Sequence, residues 1–439
     1  MKLFRRSVLL VGVLGLISAG CGRGIDEAAS GATTVPAQTT VTTIAVSATT
    51  EPPVEAAEIV VWVPIRARAA VQEAAATFTT ATGIAVAIES VELDAMEEAL
   101  RSGVGPDIFM GSHTWLARLA PRGLAVPVGL EPRLDEFVAV AGDAFTYEGT
   151  MYGAPATMES IALFYNSTVV ASPPGAFSEI KEACLLIRGG DATTTTTDST
   201  TTTVPEPLGA GCIEYLVDDA RVGLALVTAG DGYLYRRVEG QYIATDVGLA
   251  TSPAITRAGT LRSLVADGVL AGASDRAQMV ARFASGETPF LIGDIELAEA
   301  LSSSGTSFGV SPLPIITGTT PQPFVEATGF MLSGRSAQQQ TALLFLSDYL
   351  ASPSTMADVF AASTGLPAYR ATADLIAGDQ VLGGLLAAAE AGIPMPPVDG
   401  IDDVLTALRP TLASILDAEG PDVDAILTEA AQLALSLAA

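Results

Sequence analysis

Residues Pro106–Trp115 read PDIFMGSHTW, and their pattern sets the fold class. Ile108–Met110 is a short apolar run, and Asp107–Met110 reads as a strand. Gly111-Ser112 breaks it, a small flexible residue letting the backbone turn out of the strand. Trp115–Leu119 then starts a helix. Upstream the same alternation has already occurred twice. Glu58–Val63 (EIVVWV) is β-rich, Ala67–Thr82 is a helix stopped by Gly83, Ile84–Ile88 is a strand, and Leu93–Arg101 is a helix with Gly103 behind it. Strands alternating with helices of about ten or more residues specify βαβ units and a mostly parallel sheet. In open sheets of this kind ligands bind beyond the carboxyl ends of the strands, so the turn at 111–115 is a candidate binding position.

A chain of 439 residues exceeds the size, about 250–300 residues, at which one hydrophobic core stops growing, so two lobes are expected. The only long uncharged apolar run is Ser7–Gly20, behind Lys2, Arg5 and Arg6. That is the pattern of an export signal, and it is short for a spanning helix of about 20 residues. The run ends in LISAGC (Leu16–Cys21), which resembles a bacterial lipobox with Ser18 where leucine is common. The resemblance implies cleavage after residue 20 and a lipid on Cys21, with simple secretion as the alternative. Residues 21–57 are rich in Thr, Ala, Val, Pro and Glu without a periodic apolar face, and read as a disordered tether. A net charge of −27 argues against nucleic acid as a partner, whose phosphates need clustered Lys and Arg. With Cys21 lipidated, Cys184 and Cys212 remain as a disulfide pair in an oxidising compartment, closing the base of a threonine-rich insertion at 190–210. The alternative is two reduced, buried cysteines; no metal-ligand spacing is present and no cofactor is implied.

Further along come MYGAPATMESIALFYN (Met151–Asn166), TAGDGYLYRRVEGQYIATDVGL (Thr228–Leu249) and a long helix RAGTLRSLVADGVL (Arg257–Leu270). FASGETPFLIGD (Phe283–Asp294), FGVSPLPI (Phe308–Ile315) and the block from Pro323 to Pro353 follow. In order and spacing, from about Glu58 to the C-terminus, these blocks resemble the extracellular solute-binding proteins of ABC importers, in the maltose-binding branch. The resemblance implies an α/β, two-lobe periplasmic-binding-protein-like fold with an interlobe hinge and a ligand cleft. The chain would cross between lobes at Ala154–Met158, at Pro312–Pro314 and near Ala371. Lobe 1 would then comprise 58–155 and 314–371, and lobe 2 would comprise 156–313 and 372–439.

Carried over position by position, the resemblance puts Gly111 at a sugar-stacking position, with His113, Thr114 and Trp115 beside it. Arg66 stands at the tip of the first strand in place of a polar cluster. Glu159 matches an acidic sugar ligand, Asp294 and Ile295 fall where another stacking tryptophan would be, and Leu405 falls near where a third would be. The expected ligand set is therefore Arg66, His113, Thr114, Trp115, Glu159 and Asp294, without the aromatic platform that sugar faces stack on. Trp115 also fits the first buried residue of a helix, and His113 a local hydrogen-bonding role. Asp219 and Arg221 lie near further ligand positions, just behind the threonine insertion.

Gly305–Gly309 (GTSFG) matches the G-x-S-x-G of α/β-hydrolases, which requires a histidine after the serine. The only histidine, His113, precedes it, so no catalysis is expected. The function implied is a monomeric substrate-binding lipoprotein on the outer face of the cytoplasmic membrane. It would capture a small polar solute, with carbohydrate the leading class, and pass it to an ABC permease. An anchored extracytoplasmic hydrolase is the competing class, and a binding-lobe protein serving sensing and not transport is a third.

Overall fold

The computed structural model describes residues 59–189 and 211–438; Cys21, the signal, the tether and the threonine-rich insertion lie outside the described residues. In chain order the elements used below begin with β1 (Ile59–Val63), α1 (Arg68–Thr82), β2 (Val86–Ser90), α2 (Leu93–Arg101), β3 (Ile108–Ser112), β4 (Gly153–Glu159), β5 (Ala162–Asn166) and α3 (Phe177–Gly189). They continue with β6 (Ile213–Leu216), α4 (Ala220–Val227), β7 (Leu270–Ala273), α5 (Arg276–Ser285), β8 (Phe290–Gly293), α6 (Ile295–Ser304) and β9 (Phe308–Ser311). Last come β10 (Phe324–Ser333), β11 (Leu366–Pro367), α7 (Leu382–Glu390) and α8 (Ile401–Ala413).

The first sheet has the order β11-β4-β10-β3-β1-β2, with two short strands at 125–126 and 393–394 also paired to β10. β1 lies parallel to both β2 and β3, as the βαβ pattern requires. Its Ile59, Val61 and Val63 are fully buried, while Val60 and Trp62, on the other face, are half-buried. α1 covers this sheet with Ala70, Val71, Ala74, Ala75 and Phe78, a stripe at helical spacing. β10 inserts antiparallel between β3 and β4, so the sheet is mixed.

The second sheet has the order β7-β6-β8-β5-β9. β6 is parallel to β7 and β8, whereas β5 is antiparallel to β8 and β9. Cys184 on α3 and Cys212 at the head of β6 form the expected disulfide, with Cα atoms 6.0 Å apart, across the base of the insertion.

Sheet membership places the switches between lobes. Residues 154–158, read from the sequence as the first crossing, are ladder residues of β4 paired with β10. The chain leaves the first sheet after Glu159 and joins the second at Ala162. Pro155 is accommodated inside the ladder because the register shifts beside it, between Thr328 and Gly329. Pro312–Pro314, read as the second crossing, follow β9 of the second sheet, Ile315 still bridges Ala176 next to α3, and β10 of the first sheet begins only at Phe324. After β11 the chain returns to the second lobe with α7, whose Gly384 lies directly against the Val310 backbone of β9. Ile393–Pro394 then pair once more with β10, a contact with the first sheet that the 372–439 boundary did not foresee, before α8 packs on α4. Among the described residues no helix is long and apolar enough to cross a membrane.

Candidate functional site

At the carboxyl edge of the second sheet, β6, β7 and β8 each run into a helix through an aspartate. Asp219 accepts from the Arg221 N–H (3.0 Å), Asp275 from the Gln278 N–H (2.8 Å) and Asp294 from the Leu297 N–H (3.4 Å). Aspartate is favoured here because its side chain satisfies N–H groups that the first helical turn leaves unpaired, and its charge opposes the helix dipole. Arg221, in the first turn of α4, ties two of these caps together. Its Nε donates to Asp219 Oδ1 (2.9 Å), and its Nη2 donates to Asp219 Oδ2 and to Asp294 Oδ2, both at 2.8 Å. Burial works against the guanidinium's charge, but the hydrogen bonds and charges of Asp219 and Asp294 outweigh it and raise its pKa further. Arg276 adds weaker contacts to Asp294 (3.7 Å) and Glu296 (3.3 Å).

This clamp floors a cavity of about 340 Å³ at the point where β4 hands over to β5. Glu159 lines it, presenting a solvent-accessible carboxylate with no hydrogen bond or ion pair among the described residues. Burial by surrounding protein raises its pKa, and Glu326, directly opposite on β10, pushes the same way; Arg221 pulls down without cancelling them. Arg409 of α8 also lines the cavity and has no ion-pair partner among the described residues. Among the described residues no aromatic side chain contributes to the lining.

Of the sequence-predicted set, the structure brings Glu159 and Asp294 together in this cavity. Arg66 is exposed just past the carboxyl end of β1 and is not in the lining. His113, Thr114 and Trp115 turn inward, with exposures of 0%, 3% and 5%. The Met395 carbonyl can only accept, so His113 Nε2 carries the proton and donates to it (3.0 Å), while Nδ1 accepts from the Ala327 N–H (3.1 Å). Both ring nitrogens are thus committed to backbone, which differs from the cleft-wall expectation. Thr114 Oγ1 lies 2.9 Å from Ser112 Oγ, which donates to Glu326 (2.8 Å). Trp115 folds its ring over Gly111, where a Cβ would stand 2.1 Å from Cζ3. Gly111, expected at a sugar-stacking position, is thus covered from within by the chain's own tryptophan.

Arg221 and Asp219 were legible only as uncertain ligand positions; the signal that marks them is the repeated aspartate at each strand-to-helix turn. Ser307 lies between the end of α6 and β9, the reverse of the strand–nucleophile–helix order of a hydrolase elbow.

The family model described as bacterial extracellular solute-binding protein matches residues 73–381. A maltotriose-binding protein of Pyrococcus abyssi is 35% identical over 92 residues, 20% of either chain. A maltooligosaccharide ABC transporter solute-binding lipoprotein of Streptococcus pneumoniae is 24% identical over 131 residues, 29% of this chain and 31% of the relative. The matched stretches therefore span between a fifth and a third of these relatives. A crystal structure of a cyclo/maltodextrin-binding protein complexed with maltotetraose superposes with a TM-score of 0.73 at 22% identity, covering 86% of this chain and 96% of that one. That likeness shows the two-lobe fold, and the family match covers most of the described residues. The chain belongs to the bacterial extracellular solute-binding proteins.

Proposed function

We propose that this protein captures a small hydroxyl-rich solute, a carbohydrate of one or two rings, in the cavity at the lobe switch and delivers it to an ABC permease. Lipid on Cys21 would hold it at the outer face of the cytoplasmic membrane. The observation that carries the reading is the free carboxylate of Glu159 facing the Asp219–Arg221–Asp294 clamp across a polar cavity. Such a cavity, near the lower end of the roughly 300–1,000 Å³ of ligand pockets, suits a small solute oriented by a few fixed polar groups. Two helix starts at this edge, those of α4 and α6, border the cavity, and each is already occupied by an aspartate. A phosphate or carboxylate solute would meet carboxylate instead of free N–H groups, so anionic solutes are disfavoured. The names of the maltotriose- and maltooligosaccharide-binding relatives support a sugar. The absence of aromatic lining favours hydrogen bonding over stacking.

In this reading Glu159 and Arg409 contact solute, Asp294 and Arg221 position the cavity wall, and His113, Thr114 and Trp115 hold the adjoining strand ends. Thermal-shift measurement of the protein against mono- and disaccharides tests it. A sugar at a hundred times its dissociation constant should stabilise by about 2.7 kcal/mol, and Glu159→Ala should abolish the shift. No shift with any sugar, from a protein that unfolds cooperatively, would overturn the carbohydrate assignment. Anchoring is tested separately: Cys21→Ser should move the protein from the membrane fraction to the medium, and unchanged fractionation would refute it.

A further inference from the structure

We infer that the solute carries a protonated amine, as in an amino sugar or aminated polyol, seated against Glu159. The inference rests on the reading of this cavity as the solute site and deepens it. Five carboxylates line the cavity, those of Glu159, Asp218, Asp219, Asp294 and Glu296, against the three guanidinium groups of Arg221, Arg276 and Arg409. The charges do not pair off evenly. Arg221 is taken up by Asp219 and Asp294, and Arg276 by Asp294 and Glu296. Glu159 and Asp218 remain without a cation among the described residues, and Arg409 is the one lining guanidinium without a carboxylate among them. The excess is negative, and it is larger at Glu159 than the lining alone shows, because Glu326 stands opposite it on the adjacent strand with the Ser112 hydroxyl as its side-chain partner among the described residues.

Two like charges on neighbouring strands repel, and closing the lobes over a neutral solute would strip water from both without supplying a counter-charge. An ammonium group supplies it while the ring hydroxyls bond Arg409 and the clamp. Burial raises the pKa of the Glu159 carboxyl and the charge of Glu326 adds to it, while Arg221 offsets only part. The aspartate caps act in the same direction, since they remove the helix-start N–H groups that would otherwise favour an anion.

The test is isothermal titration of the mature protein at neutral pH with D-glucosamine and D-galactosamine, their parent hexoses and their N-acetyl forms, and with the corresponding disaccharides. An amine-bearing sugar should bind about tenfold or more tightly than its parent, the size of a charge-assisted bond over a neutral one. Added salt should weaken it while leaving any hexose binding unchanged. Glu159→Gln should remove most of the preference, and the exposed Asp218→Asn should remove part of it, a variant that does not touch the β4–β5 switch. If a parent hexose binds as tightly as its amine, or if the preference survives both substitutions and salt, the amine inference falls and the carbohydrate reading stands. If no sugar of either kind binds to protein shown folded by circular dichroism, both fall together.

Discussion

Acidification should destabilise this protein through a single imidazole. His113 is the chain's only histidine, and it is fully buried with both ring nitrogens bonded to backbone. Burial lowers its pKa; Glu326, Asp143 and the bonds to Met395 and Ala327 pull upward without offsetting it. The sign follows from which state takes the proton first. An unfolded histidine protonates near its ordinary value of about 6.5, while the folded ring stays neutral to lower pH. The stability His113 lends is therefore complete above that value and is lost as pH falls towards the folded pKa. The loss is about 1.4 kcal/mol per pH unit for as long as the folded ring remains neutral. Three carboxyls with raised pKa, Glu97, Glu159 and Asp402, contribute with the opposite sign, each favouring the folded state as pH falls. They cancel in a comparison with His113→Gln, whose amide can accept from Ala327 and donate to Met395 without titrating. Urea unfolding of both proteins, followed by circular dichroism at about pH 7.5, 6.5 and 5.5, gives the difference directly. Between the two lower values it should move by about 1 kcal/mol in favour of the variant, because the unfolded histidine is already half protonated at the upper one. A difference independent of pH would refute a neutral, buried ring.

Arg221→Met leaves Asp219 and Asp294 facing each other without a counter-charge. Because Arg221's side chain retains 23% of its exposure, the loss should be about 2–3 kcal/mol, below the upper range for fully buried pairs. Urea unfolding measures it, and a loss under about 0.5 kcal/mol would mark the clamp as an ordinary surface pair. Gly111→Ala puts a methyl into the Trp115 ring and should cost roughly 1–3 kcal/mol, with a changed tryptophan emission spectrum; an unchanged midpoint and spectrum would contradict the packing. Replacing Cys184 and Cys212 by serine opens a bridge spanning 28 residues and should cost about 3.5 kcal/mol on the loop-entropy account, read as the same shift that reductant gives the parent protein.

Much of the first lobe was legible because its signals are local. The helix read at Leu93–Arg101 is α2 residue for residue, and β1 and α1 begin within a residue of where alternation and the Gly83 stop put them. The helix read at Arg257–Leu270 runs instead from Ser252 to Ala266, since Asp267-Gly268 ends it and Leu270 already belongs to β7. The disulfide was legible from cysteine arithmetic in a chain read as exported. Pairing partners were not: nothing near Pro155 announces that Gly329, over 170 residues later, shifts register to receive it.

Alternation of strand and helix, the placement of glycine stops and the order of blocks are properties of neighbouring residues, so the sequence by itself determined an α/β solute-binding scaffold and singled out Glu159 as its leading site candidate. Only the tertiary structure decided which way PDIFMGSHTW faces. A turn at a strand's carboxyl end can present its side chains to a cleft or to the core, and the choice depends on backbone partners more than 200 residues away, the Ala327 N–H and the Met395 carbonyl, closing on His113. The same is true of the clamp. Asp294 caps its helix whatever surrounds it, but it becomes a cavity wall because folding brings Arg221, 73 residues earlier in the chain, into range of its second oxygen.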